Sequence, residues 1–337
     1  MIHIVTISTV LSLFILTTVR GQDTFSIIAA DPNTGEIGAA GASCVDGIAG
    51  FGGIQLLNQI IPGRGGVNAQ AYVCINPHIN LVNGIDRLAA GSSPQEVLNW
   101  LYENDACQAG GFNPELRQYG VVDFDEAMNV RAAAFTGAET DAFAGQIVGP
   151  NYAIQGNILL DMEILEGMEA GFLNTSGTLA EKLMAAMQGA NVPGADNRCL
   201  ARGTSSTSAF LRVVRPDDAT DAPYVELNVL EMPFGEEPID SLQNLFGQWL
   251  STSSQEVGFD SNIRITPNPT RHSVQINPLS NRSWRTYVLY SIDGKILRNA
   301  SFEQPELNLS DLENGTYLLQ LVDANGHQSS MMKIVKL

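Results

Sequence analysis

The sequence predicts an α+β body followed by a small all-β unit. Three observations predict it. Short β-prone runs come in pairs across residues 24–43, 119–136 and 208–229, with amphipathic helical stretches between them. That order suggests layers of sheet and helix, not strict βαβ alternation. From residue 263 to 337 the pattern is β throughout, with turn dipeptides between the runs. Between the two, residues 235–262 lose periodicity, with one short helix expected at Ile239 to Leu250 and a Ser/Thr-rich flexible spacer at 251–255. The chain length also suggests about two domains.

Residues 1–21 read as a secretory signal peptide. Ile2 to Leu16 is almost wholly apolar and short for a membrane span. Val19 and Gly21 are small residues ahead of a cut before Gln22. The residue after that cut is not Cys, which argues against a lipoprotein. No other run is apolar for long enough to span a bilayer, so an integral membrane protein is not expected.

Composition and charge narrow the partners. Hydrophobic residues make up 44% and charged residues 16%, as in soluble globular proteins. The net charge of −18 is unevenly placed. Residues 22–262 hold nine Lys/Arg against thirty Asp/Glu, whereas residues 263–337 hold eight against six. A body this acidic repels nucleic acid and anionic lipid, so neither is an expected partner. Cys44, Cys74, Cys107 and Cys199 all lie in the body. An even count in an exported chain favours two disulfides, and three pairings remain open.

In the body, residues 22–234, Thr24 heads a β-prone run. Asp31-Pro32-Asn33-Thr34-Gly35 makes a turn, and Ile37 to Ser43 makes a second run. Gly63-Arg64-Gly65-Gly66 reads as a close-packed turn, since no Gly-Lys-Ser/Thr follows to make a phosphate loop. Ser93-Pro94-Gln95-Glu96 opens a helix, with Ser as N-cap and Pro in the first turn. A second helix runs through Met162, Leu165, Met168 and Phe172. A third opens at Thr178-Leu179-Ala180-Glu181, which has capping-box spacing. Strands are expected at Tyr119–Asp123, Ala132–Thr136, Tyr152–Asn157, Ser208–Val214 and Tyr224–Val229.

Most catalytic chemistries fail on inventory. The body has one histidine, His78, read as a solvent-facing loop residue. It contains no Gly-x-Ser-x-Gly motif and lacks zinc ligands. Asp31 to Glu36 reads as an ordinary turn instead of a calcium loop. Neither a metal nor a cofactor is expected. A threonine with a free α-amine needs no histidine, because it is nucleophile and base at once. Its amine has a pKa of about 7.7–8.0.

Thr24-Phe25-Ser26-Ile27 with Asp31-Pro32 and Gly35-Glu36-Ile37-Gly38 resembles the opening of the domain of unknown function 1028 family. The likeness continues through Gln118-Tyr119-Gly120-Val121-Val122, Ala134-Phe135-Thr136-Gly137 and Gly149 to Asn157. It extends through Leu183-Met184-Ala185-Ala186, Gly194-Ala195-Asp196 to Arg198, and Ser208-Ala209-Phe210. It spans roughly residues 24–230. The resemblance implies an N-terminal nucleophile hydrolase-like fold, a four-layer αββα sandwich, and suggests hydrolysis of amide bonds. Some relatives carry a domain thought to bind peptidoglycan, which hints at cell-wall or peptide amides as substrates.

Mapped onto that chemistry, Thr24 is the expected nucleophile and Asn157 the oxyanion donor. Asp31 or Arg198 is expected to orient the α-amine or bind substrate. A cut before Gln22 leaves Thr24 third in the chain, so this reading requires further trimming. The alternative is a non-catalytic secreted body on the same fold, which binds a partner or assembles with its own copies.

In the tail, Ile265-Thr266-Pro267-Asn268-Pro269 leads into β-prone runs at Thr286–Ile292, Leu307–Leu309, Gly315–Leu321 and Met331–Val335. Asp293-Gly294 and Asn325-Gly326 are the turns. This is the pattern of a small β-sandwich. Pro267-Asn268-Pro269, Tyr290 to Lys295, Leu312 to Tyr317 and Lys333-Ile334-Val335-Lys336-Leu337 are similar to a type IX secretion C-terminal sorting domain. That likeness covers residues 263–337. It implies the type IX secretion machinery as partner and a secreted or cell-surface destination in a Gram-negative bacterium of the Bacteroidetes kind.

Overall fold

A computed structural model describes residues 24–219, 221–253, 263–278, 284–291, 295–302, 304–323, 329 and 332–337. The expected signal peptide, residues 254–262 of the expected linker, and the turns at Asp293-Gly294 and Asn325-Gly326 lie outside the described residues. The chain divides after Phe246 into two compact units.

The first unit is mixed α/β, and every strand pairing in it is antiparallel. In chain order it holds β1 (Thr24–Ala30), β2 (Ile37–Ser43), β3 (Asn58–Ile61), β4 (Gly65–Gln70), α1 (Ile79–Ala89) and α2 (Pro94–Glu103). There follow β5 (Gln118–Phe124), β6 (Val130–Thr136), β7 (Gly145–Val148), β8 (Tyr152–Gly156), α3 (Glu163–Asn174) and α4 (Leu179–Gly189). β9 (Ser208–Val214), β10 (Val225–Val229) and the start of α5 (Pro238–Ser253) complete it. One sheet has the order β10-β9-β2-β1-β8-β7 and the other β3-β4-β5-β6.

Side-chain alternation explains how these elements pack. Ile28 and Ala30 of β1 share a core with Val122 and Phe124 of β5 and Phe210 of β9, so one face of each sheet meets the other sheet. Val67 and Ala69 of β4 and Val121 of β5 turn the opposite way. They pack on Leu81, Ile85 and Leu88 of α1 and Val97, Leu98 and Leu101 of α2. Helix α4 lies on the larger sheet at β2. A Cβ at Gly38 would stand 2.6 Å from Leu183 Cδ1 and 3.0 Å from the Arg212 carbonyl oxygen, so glycine favours this close approach. Ser93 and Thr178 close complete capping boxes on α2 and α4; the Thr178 box follows the expected spacing, and at Ser93 only the N-cap was expected.

In the first unit, four elements depart from the expected strands and helices. Helix α1 and strands β3, β4 and β7 were not expected. Pro62 to Arg64 is a turn, but Gly65 and Gly66 already belong to β4. His78 is half-buried at the N-terminus of α1, its Nε2 3.1 Å from the Ala69 carbonyl oxygen, and does not face solvent.

The second unit holds β11 (Ile263–Thr266), β12 (Ser273–Pro278), β13 (Trp284–Ser291), β14 (Ile296–Ser301), β15 (Glu306–Asn308), β16 (Gly315–Asp323) and β17 (Met332–Lys336). They form sheets β11-β12-β15 and β14-β13-β16-β17. Val274, Ile276 and Leu307 of the first share a core with Leu289, Leu319 and Ile334 of the second. No helix among the described residues is long and apolar enough to cross a membrane.

Candidate functional site

Strand β1 places Thr24 and Ser26 on the face that meets the smaller sheet. Opposite them, β4 presents Asn68 and Gln70, and β5 presents Gln118. Gln155 of β8 and Asn157, just past its end, complete the group. All are buried. They form one hydrogen-bonded network. Ser26 Oγ donates to Gln70 Oε1 at 2.7 Å and accepts from Asn68 Nδ2 at 3.1 Å and Gln155 Nε2 at 2.6 Å. Gln70 Nε2 donates to the Thr24 carbonyl at 2.9 Å and to Gln118 Oε1 at 2.7 Å. Gln118 Nε2 donates to the carbonyl oxygens of Gly156 at 2.8 Å and Gly145 at 3.1 Å. Gly120 makes room for this packing: a Cβ there would stand 2.1 Å from Gln155 Oε1.

Amides suit this role because each offers two donors and an acceptor without carrying charge. A buried polar group left unpaired costs about 1–3 kcal/mol. The network therefore fixes the ends of β1, β4, β5 and β8 relative to one another. Its exceptions stand out. Among the described residues, Thr24 Oγ1, Gln155 Oε1 and Asn157 Oδ1 have no hydrogen-bond partner, although all three are buried.

Thr24 and Asn157 are neighbours across the β1–β8 ladder. The Asn157 backbone N–H donates to the Thr24 carbonyl at 3.1 Å. Residues opposite each other in such a pair present their side chains on one face. The Asn157 side-chain amide gives one N–H to Gln118 Oε1 at 2.9 Å. Its neighbour Ile158 has φ +50°, which a β-branched residue rarely adopts. Strain of this kind clusters at functional sites.

Arg198 reaches the same end of the larger sheet. Its guanidinium bonds Asp196 through Nε at 3.0 Å and Nη2 at 2.7 Å. Asp196 Oδ2 also accepts from the Cys44 backbone N–H at 2.8 Å, one residue past β2. The Cys44–Cys199 disulfide ties this turn to the sheet. The second disulfide joins Cys74 and Cys107, so one of the three open pairings is realised.

Asp31 does not join the group. It lies at the opposite end of β1, about 20 Å along the strand. There its Oδ1 accepts from the Asn33 backbone and side chain, closing the hairpin turn. His78 lies on the α1 side, and burial pushes its pKa down to about 4. Sequence reasoning missed Ser26, Asn68, Gln70, Gln118 and Gln155 as site residues. The available signal was the polar alternation of Asn68-Ala69-Gln70, which marks a strand whose inward face is amide instead of aliphatic.

Comparison with known proteins fits this picture. The family of unknown function DUF1028 matches residues 24–242. A secretion system C-terminal sorting domain matches residues 264–336, which marks the chain for type IX handling and for secretion or the cell surface. Among solved structures, the chain is similar to protein SPO2555 from Silicibacter pomeroyi, a DUF1028 protein. The TM-score is 0.52 at 25% identity, covering 69% of this chain and 94% of that one. Likeness to PorZ, a surface component of the type IX system of Porphyromonas gingivalis, is slight. Its TM-score is 0.19 at 10% identity, covering 39% of this chain and 21% of that one. No curated protein matches. The chain thus belongs to the DUF1028 family, whose function is unknown, and carries a C-terminal sorting domain for export.

Proposed function

We propose that the body is an N-terminal nucleophile hydrolase-like αββα sandwich that cleaves amide bonds after export. In this reading α1 and α2 form one outer layer, α3 and α4 the other, and the two sheets lie between them. The observation that carries it is the buried, unpartnered Thr24 hydroxyl at the head of the central strand, with Asn157 across the ladder. A buried polar atom without a partner calls for an explanation, and a nucleophile held ready for substrate supplies one.

The steps follow from these groups. A cut between Asp23 and Thr24 frees the Thr24 α-amine. That amine takes the hydroxyl proton as Thr24 Oγ1 attacks the substrate carbonyl carbon. The carbonyl oxygen becomes an oxyanion, and the second N–H of the Asn157 amide donates to it. The C–N bond breaks, and the leaving amine takes the proton held by the α-amine. Water then hydrolyses the Thr24 ester, releasing the acid and restoring the hydroxyl. Arg198, anchored on Asp196, is placed in this reading to orient the α-amine or bind substrate.

The test is a screen of peptide and peptidoglycan-fragment amides with Thr24→Ala as control. Turnover by the natural chain that is lost in Thr24→Ala and kept in Thr24→Ser supports the reading. Equal turnover by Thr24→Ala contradicts it. In that event the activity belongs to other groups, whereas no turnover by the natural chain would favour the non-catalytic binding or assembly reading.

A further inference from the structure

The Thr24 end of the body also carries a cleft of about 740 Å³. It opens beyond the ends of β2 and β4 and ahead of β5. Phe51, Tyr72, Ile75, Pro77, Ile79 and Phe112 supply its apolar surface. No Asp, Glu, Lys or Arg lines it, in a chain whose net charge is −18. This volume suits a small organic group.

The walls of the cleft are held from behind. The buried Arg117 donates to the carbonyl oxygens of Tyr72 at 2.6 Å, Cys107 at 2.7 Å and Ala109 at 2.6 Å. Asp105 balances its charge at 2.8 Å. The Cys74–Cys107 disulfide ties the same two walls. Ala71, Tyr72, Asn76 and Phe112 have φ of +61°, +46°, +64° and +59°. They are four of the six non-glycine residues with positive φ among the described residues. Strain held this firmly belongs to pre-organised sites.

The cleft also connects to the nucleophile. Tyr72 lies two residues past Gln70, whose amide holds the Thr24 carbonyl. Its hydroxyl donates to Asp141 Oδ2 at 3.0 Å. The Asp141 carbonyl in turn accepts from the N–H of Ile158, beside Asn157, at 3.1 Å.

We propose that this cleft binds a neutral aromatic side chain adjoining the substrate's amide bond, which as a substrate role rests on the hydrolase reading above. A carboxylate or ammonium entering it would lose its water and meet no counter-charge. The rings of Phe51, Tyr72 and Phe112 favour an aromatic guest through edge and offset stacking.

The test compares binding of three probes to the full chain by titration calorimetry and saturation-transfer NMR. The probes are the N-acetyl amides of phenylalanine, glutamate and lysine. Phenylalanine amide is expected to bind at least about tenfold more tightly than either charged probe. Phe112→Ala and Ala106→Asp each change an exposed residue of the cleft and are expected to weaken it about tenfold. Equal affinity for the three probes, tighter binding of a charged one, or unaffected variants would overturn the proposal. Matching chromogenic anilides separate it from the hydrolase reading. Aromatic-selective binding without cleavage would sink hydrolysis and leave the cleft assigned. Cleavage without aromatic preference would sink the cleft assignment and leave Thr24 in place.

Discussion

Asn157 donates its backbone N–H to the Thr24 carbonyl oxygen at 3.1 Å, fixing the head of β1 against the end of β8. Their Cα atoms in such a pair are about 5.5 Å apart. The proposed nucleophile and oxyanion donor are therefore set by sheet register, without help from a mobile loop.

This pairing predicts the behaviour of Asn157→Ala. Loss of an oxyanion donor lowers kcat by about 100- to 1000-fold. The lost bond to Gln118 costs only about 1 kcal/mol, because Gln118 Oε1 still accepts from Gln70. Kinetics and urea denaturation of one preparation check both parts. A loss of stability matching the loss of rate would make Asn157 a packing residue.

Gln118→Leu is expected to be far more damaging to the fold. Gln118 accepts from Gln70 and Asn157 and donates to Thr136 Oγ1 and the Gly145 and Gly156 carbonyls. Leucine leaves these groups buried without it, at a cost of about 3 kcal/mol. The midpoint of urea unfolding should fall with an unchanged slope.

His78 predicts an acid limb of stability. Its folded-state pKa is about 4 against an ordinary 6.5, because burial disfavours the charged ring. The unfolded chain therefore binds the proton first as pH falls. Stability from this group is full above about pH 6.5 and is lost on going down towards pH 4. The loss from pH 7 to pH 5 is about 2 kcal/mol. Unfolding of the natural chain and His78→Gln at both values checks it, and the variant should lose that much less.

The disulfides should differ in worth. Cys44–Cys199 spans 155 residues and Cys74–Cys107 spans 33. Chain-entropy scaling assigns about 5 kcal/mol to the first and about 4 kcal/mol to the second. Replacing Cys44 and Cys199 by alanine should also lower activity, because Arg198 sits beside Cys199. Replacing the Cys74 pair should loosen the cleft wall instead.

Much of this fold was legible because its strands advertise themselves. β1, β2, β9 and the capped helices α2 and α4 follow simple patterns of apolar spacing and cap chemistry. Strand β4 was hidden because its inward face is Gly66, Asn68 and Gln70, which locally reads as a loop. Helix α1 was hidden because His78 offers no side-chain cap and Gly84 interrupts its middle. Thr24 and Asn157 were named by mapping the chemistry that the family resemblance implies onto the chain. The network behind them could not be named this way, since Gln70 and Gln118 are far apart in sequence and meet only through the β4–β5 register. Asp31 was misplaced for the converse reason. Nearness in sequence to Thr24 becomes distance once β1 is fully extended.

The central claim is that Thr24 becomes the first residue of the working chain. N-terminal sequencing with intact mass measurement of the exported, active protein tests it most directly. The account predicts a chain that begins at Thr24, with its α-amine free. Active protein that begins at Gln22, or at any other residue ahead of Thr24, would contradict it.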